Sequence, residues 1–142
     1  MDKNILVATD GSKFSDAAVK EAINVAKAYG SKLYCMSVIE MHLDHYPDFL
    51  NLAPNVIEEK KKELTVYLKG IRDQAAGDNV QCEVIISEGN EPYELIINEA
   101  EKVQAGLIVV GSHGRTGLEK LLMGSVAERI IGHAKCSVLV VK

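Results

Sequence analysis

Apolar residues follow two alternating patterns along the chain. Short, β-branched-rich runs occupy residues 5–8 (Ile-Leu-Val-Ala), 33–39, 107–110 and 138–141. A further segment, 80–86, first alternates through Val80, Cys82 and Val84, then continues through Ile85 and Ile86. Bounded by Gly, Asp or Asn, these five segments predict strands. Between them, apolar positions recur at three- and four-residue steps. Ala18, Ala22, Val25, Ala26 and Tyr29 predict a helix stopped by Gly30. Ile57, Leu64, Tyr67, Leu68, Ile71 and Ala75 predict a longer one ending at Gly77. A third begins near Glu91-Pro92, because Pro suits a first turn, with Leu95, Ile96, Ala100 and Val103 as its inner stripe. Val126, Ala127, Ile130 and Ile131 mark a fourth, ending at Gly132. Strand–helix alternation predicts an α/β fold: a parallel sheet with helices on both faces.

One segment interrupts the rhythm. Residues 40–54 form a connection of about fifteen residues, long for a loop. It carries His42, Asp44, His45 and Tyr46, but no further ligand stands at a recognised metal-binding spacing, and a solvated loop or lid is the simpler reading.

Composition narrows the function classes. At 142 residues the chain is expected to form one domain, residues 1–142, with a core that needs no staples. Sixteen basic and 20 acidic side chains give a net charge of -4, so nothing favours a phosphate backbone, and nucleic acid is not expected as a partner. Aromatics are 5% and Trp is absent, which argues against base-stacking platforms. The three cysteines, Cys35, Cys82 and Cys136, form no C-x-x-C pair and lie in apolar stretches. They read as buried hydrophobes of a cytoplasmic protein rather than as a disulfide framework. The N-terminal apolar segment is too short for a signal peptide, and no run approaches a membrane span, so no membrane association is expected.

The candidate chemistry follows the fourth strand. Gly111-Ser112-His113-Gly114-Arg115-Thr116-Gly117 leads, through residues 118–123, to Gly124-Ser125 at the start of the last helix. Glycines allow a backbone to turn tightly and approach an anion. A helix start offers unpaired N–H groups and the positive end of a dipole. Ser125 is expected to cap that helix and donate its hydroxyl to a phosphate oxygen, and Arg115 to add charge. A Walker A loop is excluded because no Lys follows Gly124, and a dinucleotide fingerprint because the first turn reads Thr9-Asp10-Gly11-Ser12. Glycines that only shape turns remain the alternative. Against it, the loop leaves the carboxyl end of a strand expected to be central, where open α/β sheets bind ligands.

Over its whole length the sequence resembles the universal stress proteins. The resemblance is carried by Ile5 to Ser12, Leu107 to Gly117, Gly124 to Ile130 and the closing Val-Leu-Val-Val-Lys. Gly111, Gly114, Gly124 and Ser125 fit the G-x2-G-x9-G-S/T spacing that marks the ATP-binding branch of that family. Gly106 and Ser137 depart from residues common in the family, as local differences off that motif. The resemblance implies a Rossmann-like, open five-stranded parallel sheet of order 3-2-1-4-5 with four helices. ATP would lie across the carboxyl ends of strands 1 and 4. By position, Ala8, Thr9 and Asp10 would line the pocket, and Val38 would offer backbone groups to the adenine. Gly111, Gly114 and Arg115 would wrap the phosphates, with Gly124, Ser125 and Val126 closing the site. Asp10 would meet the ribose hydroxyls or a Mg²⁺ on the phosphates.

A nucleotide-dependent stress-response or signalling module is the expected function, and a slow ATPase using the same pocket is the alternative. Ser112 and His113 are adjacent, so their side chains are not expected to form a nucleophile–base pair, and no catalytic residue is assigned. In the order 3-2-1-4-5 the fifth strand is an edge, yet residues 138–141 carry no charge and no Pro. Such an edge calls for a cover, and a homodimer pairing two fifth strands antiparallel is expected.

Overall fold

The computed structural model describes residues 3–41, 53–113 and 123–142. The elements run β1 (Asn4–Ala8), a 3-10 turn (Lys13–Ser15), α1 (Asp16–Tyr29), β2 (Leu33–Glu40), α2 (Ala53–Gly77), β3 (Cys82–Gly89), α3 (Pro92–Lys102), β4 (Ala105–Gly111), α4 (Ser125–His133) and β5 (Ser137–Val141). All strand pairs are parallel, in the order β3-β2-β1-β4-β5. This is the open α/β sheet that the sequence predicts.

Side-chain parity sorts the core onto two faces, because successive residues of a strand point to opposite sides. Ile5, Val7, Leu33, Cys35 and Val109 pack under α1 and α2 with Ala22, Ile23, Leu68 and Ile71. Leu6, Met36, Ile108 and Val110 pack under α3 and α4 with Ile96, Ala100, Ala127 and Ile130. The continuous apolar runs of β1 and β4 are therefore strands covered on both sides. The order also explains which helix goes where. From β1 the chain winds outward to β3, then returns to β4 and winds the other way. A constant crossover hand puts the helices of the two directions on opposite faces.

Element ends differ from the sequence reading in small ways with clear causes. α1 stops at Gly30, which takes the left-handed conformation (φ 66°) as expected. α4 continues one residue past Gly132, and His133 Nδ1–H donates to the Arg129 carbonyl at 2.8 Å, satisfying an acceptor of that last turn. Val80 closes α2, its N–H bonded to the Ala75 carbonyl, and β3 starts only at Cys82. Gly106 lies inside β4, and Ser137 opens β5. Cys35 and Cys82 are buried core residues. Burial pushes the Cys35 thiol far above its ordinary range and that of Cys82 up to about 11, so both behave as small hydrophobes. The His42–His45 segment lies outside the described residues.

Candidate functional site

A notch opens at the carboxyl end of the sheet because the middle strand is the shortest there. The β1–β2 ladder ends with Ala8 opposite Met36, while β2 runs on beside β3 as far as Glu40. On the other side the β1–β4 ladder ends with Val7 opposite Val109, while β4 runs on beside β5 to Gly111. The notch lies between β1 and β4, where the strand order reverses and ligands of open sheets bind.

Its floor is the turn after β1. Asp10 Oδ1 accepts the backbone N–H of Ser12 at 2.9 Å and the Ser12 hydroxyl, an Asx turn that bends the chain out of the strand. Gly11 supplies the left-handed conformation this bend requires, at φ 80°. Beneath the turn lies a cluster of buried hydroxyls. Thr9 Oγ1 is 2.6 Å from Ser15 Oγ, and Ser37 Oγ donates to the Thr9 carbonyl at 2.7 Å. Thr9, Ser15 and Ser37 are each at most 5% exposed, so these bonds are made away from water. Thr9 thus contributes mainly by fixing the turn: its side chain and its carbonyl are both engaged inside the protein.

The walls come from β2, β4 and α4. Val38 sits in the part of β2 that has outrun β1, half-buried, with its side chain on the α3–α4 face. Gly111 ends β4 close to the 3-10 turn. A Cβ added there would lie 3.3 Å from the Phe14 carbonyl and 3.4 Å from that of His113. The start of α4 is tied to the same place by the Gly124 N–H, which donates to the Ser112 carbonyl at 2.6 Å. Gly124 is the N-cap, and Ser125 is the first helical residue, without a side-chain cap bond. The expected capping role of Ser125 is thus corrected: the extended backbone of Gly124 occupies the cap, and the exposed Ser125 hydroxyl is left outside it. The first intrahelical bond runs from Glu128 N–H to the Gly124 carbonyl, so the amides of Ser125, Val126 and Ala127 precede the helix ladder. Gly114 and Arg115 lie outside the described residues.

A second correction concerns Ser112 and His113. Although adjacent, they do meet: Ser112 Oγ is 2.9 Å from His113 Nδ1. Adjacency in an extended strand would send the two side chains apart, but β4 ends at Gly111, and the chain bends at both residues. The sequence reading also missed Ser15, Ser37 and Tyr67. Ser37 was legible as a hydroxyl inside an apolar strand, whereas Tyr67 was counted only as part of an apolar stripe. Its hydroxyl donates to Asp16 Oδ1 at 3.1 Å and lies 3.3 Å from Thr9 Oγ1.

Two hollows flank the sheet. A cavity of about 500 Å³ lies at the opposite, amino end, bordered by Lys3, Asn4, Glu101, Gln104, Lys135 and Cys136. A smaller one, about 340 Å³, lies beside the turn, with Asp10, Gly11 and Ser12 facing Lys60, Glu63 and Tyr67 of α2. The larger is the poorer place for a phosphate. The α3 and α4 helices end beside it, and helix carboxyl ends carry negative potential.

With this geometry established, comparison with known proteins is decisive. The model of the universal stress protein family matches residues 1–142. The chain belongs to the universal stress protein family. Universal stress protein MJ0531 of Methanocaldococcus jannaschii is 39% identical over 145 residues, covering 99% of this chain and 82% of its own. Universal stress protein UspA from Lactobacillus plantarum superposes with a TM-score of 0.90 at 25% identity, over 99% of this chain and 97% of that one. A universal stress protein crystallised in complex with cAMP superposes with a TM-score of 0.71 at 27% identity, over 99% of this chain and 96% of that one. Nucleotide binding is thus a property of related universal stress proteins. No helix among the described residues is long and apolar enough to cross a membrane.

Proposed function

We propose that this universal stress protein binds ATP in the notch between β1 and β4 and acts as a nucleotide-dependent stress-response or signalling module of the cytoplasm. The observation that carries the reading is the joining of a strand end to a helix start. Gly111 and Gly124 of the G-x2-G-x9-G-S spacing belong to β4 and the α4 cap, bridged by the Ser112–Gly124 backbone bond. Backbone donors at a glycine-lined helix start suit phosphate oxygens. The cAMP complex of a relative supports the nucleotide class. In this reading Ala8 and Asp10 line the floor, and Val38 flanks the adenine. Gly111, Gly114, Arg115, Gly124, Ser125 and Val126 surround the phosphates.

Mg²⁺ would arrive on the nucleotide. Among the described residues no three His, Cys, Asp or Glu side chains gather as a metal site. Asp10 would supply one carboxylate and the phosphates the remaining oxygens, the usual manner of Mg²⁺. Calorimetry with ATP and Mg²⁺ on the purified chain tests the reading. Gly114→Val should weaken binding by at least ~1–3 kcal/mol, the cost of overpacking. Equal ATP affinity in that variant would refute the assignment.

A second reading, slow ATP hydrolysis in the same pocket, is favoured by the 2.9 Å contact of Ser112 with His113. Release of phosphate by the wild-type chain, lost in His113→Ala, would establish it.

We further infer a homodimer through β5. This strand is an edge, and Val138 to Val141 are all half-buried rather than exposed, their two faces taken up by the two cores. Antiparallel pairing with a second copy would satisfy its free backbone groups about a two-fold axis. Light scattering should give twice the chain mass, and Val140→Pro should give a folded monomer at micromolar concentration. A dimer indifferent to that proline would exclude this pairing.

A further inference from the structure

The shape of the β1–α1 turn can be traced hydrogen by hydrogen. Ser15 Oγ–H donates to the Ser12 carbonyl at 2.9 Å. Ser15 Oγ must then be the acceptor in its 2.6 Å contact with Thr9, so the Thr9 hydroxyl hydrogen points to Ser15. Thr9 Oγ1 has no second hydrogen to give. It accepts from the Gly11 N–H at 3.2 Å, and it faces the Tyr67 hydroxyl at 3.3 Å. Tyr67 contributes the one hydrogen at this end of the chain and has two acceptors for it, Thr9 Oγ1 and, at 3.1 Å, Asp16 Oδ1. Burial, helped by the Asp16 carboxylate and opposed by Thr9, raises the Tyr67 phenol above its ordinary range, so it stays a donor at neutral pH.

Tyr67 is far from this turn in sequence and belongs to α2. The same helix also stands over the turn one helical turn earlier, where a Cβ on Gly11 would lie 3.4 Å from Leu64 Cδ2. α2 therefore meets the turn at the residue with the left-handed backbone and again at the acceptor that holds its amide.

We infer that Tyr67 is a positioning residue of the nucleotide site: its hydroxyl, set between Thr9 and Asp16, lets α2 hold the β1–α1 turn in the shape that presents Asp10 and the turn backbone to the ligand. The ligand rests on the nucleotide reading above; the clamp itself rests only on the geometry. It follows that occupancy of the notch and the seating of α2 are linked, since each stabilises the same turn.

Tyr67→Phe in the full-length chain removes the hydroxyl and keeps the ring. The urea midpoint should fall by no more than the loss of one hydrogen bond accounts for. Amide exchange at Gly11 and Ser12 should accelerate by about fivefold, the factor one neutral hydrogen bond carries. The ATP dissociation constant should rise by a similar factor. Asp16→Ala, at an exposed position, leaves Thr9 Oγ1 as the acceptor of that one hydrogen, so turn exchange and the ATP dissociation constant should stay at or below the wild-type values. If Tyr67→Phe folds poorly, faster exchange at Gly11 and Ser12 in Asp16→Ala overturns the clamp. Unchanged exchange at Gly11 and Ser12 overturns the clamp. A urea midpoint lowered by more than one hydrogen bond accounts for, with exchange accelerated equally across the whole chain, reduces Tyr67 to a packing role and overturns it too. Faster exchange at the turn with unchanged ATP affinity overturns the link to the ligand. A wild-type chain that takes no ATP refutes the nucleotide reading, while exchange in the ligand-free protein still decides the clamp.

Discussion

The two ends of the sheet are built from the same strands but differ in almost every physical respect. At the carboxyl end, β1 stops short of its neighbours, and polar groups converge. Three buried hydroxyls and an Asx turn are held by bonds of 2.5–3.2 Å, and the Gly124 N–H ahead of α4 by one of 2.6 Å. The hollow at the amino end is the larger of the two described, about 500 Å³ against 340 Å³. That end gathers helix carboxyl ends, the Lys135–Glu101 ion pair at 3.2 Å and Asn4, whose amide donates to the Val103 carbonyl at 2.7 Å. Volume is thus a poor guide to the site. The proposed anion site needs donors fixed in advance, and at the carboxyl end the amides of Ser125, Val126 and Ala127 lie ahead of the α4 ladder.

If the carboxyl end is built to close tolerance and the amino end is not, equal additions of side-chain volume should act unequally. Gly111→Val places a side chain within 3.3–3.4 Å of two backbone carbonyls, neither of which can turn aside. We expect a loss of about 2 kcal/mol in chemical denaturation, within the range for overpacking, together with loss of ATP binding. Ala105→Val adds its two methyl groups where the wall borders the larger cavity. It should stay within about 0.5 kcal/mol of wild type with ATP affinity unchanged. Equal losses in the two variants would erase the contrast.

Asn4→Ala is the second test. The Asn4 amide bridges the start of β1 to Val103, which ends α3, so it serves the amino end alone. Its removal should cost about 1 kcal/mol in urea unfolding, as for one hydrogen bond. ATP affinity should not move. A drop in affinity would mean that the ends communicate through β1.

The same contrast governs how much was legible in the sequence. The amino end and the core are written in periodicity: two-residue alternation assigns Ile5 and Val7 to one face and Leu6 to the other, and the spacing of Ala18, Ala22 and Ala26 marks the inner side of α1. Gly111 has a geometric counterpart, because a Cβ there would stand 3.3–3.4 Å from two backbone carbonyls. Individual side-chain roles at the carboxyl end were less legible. Ser125 read as a cap because Ser is a common N-cap, yet Gly124 takes that place. Ser112 and His113 read as divergent neighbours until the bend after β4 turned them together. Tyr67 counted as one apolar position in a helix, since no local pattern reveals that its hydroxyl reaches a turn 58 residues away. Periodicity reports the face on which a side chain lies; it is silent on the partner of its polar tip.

The smallest expected effect lies at the amino end of the β2–β3 edge, where the comparison becomes electrostatic. Lys32 Nζ is 2.6 Å from Glu83 Oε2, just before β2 and inside β3. The hydrogen bond from Lys32 is the main cause that lowers the Glu83 carboxyl below its ordinary 4.5, and the same bond raises Lys32 above 10.5. For the carboxylate, a folded value below the unfolded one means that the contribution is complete above about 4.5 and is lost as pH falls through the lower, folded value. For the ammonium, a raised value means that the contribution is complete below 10.5 and is lost as pH climbs through the higher, folded value. The urea midpoint of wild type should therefore exceed that of Glu83→Gln by a small, constant margin at neutral pH. That margin should shrink in acid below the carboxylate range and again in strong alkali, and it should fall with added salt because the pair faces water. ATP affinity should show none of this dependence. A midpoint difference that is flat from acid to alkali would mean that Glu83 supports the β3 edge by packing alone.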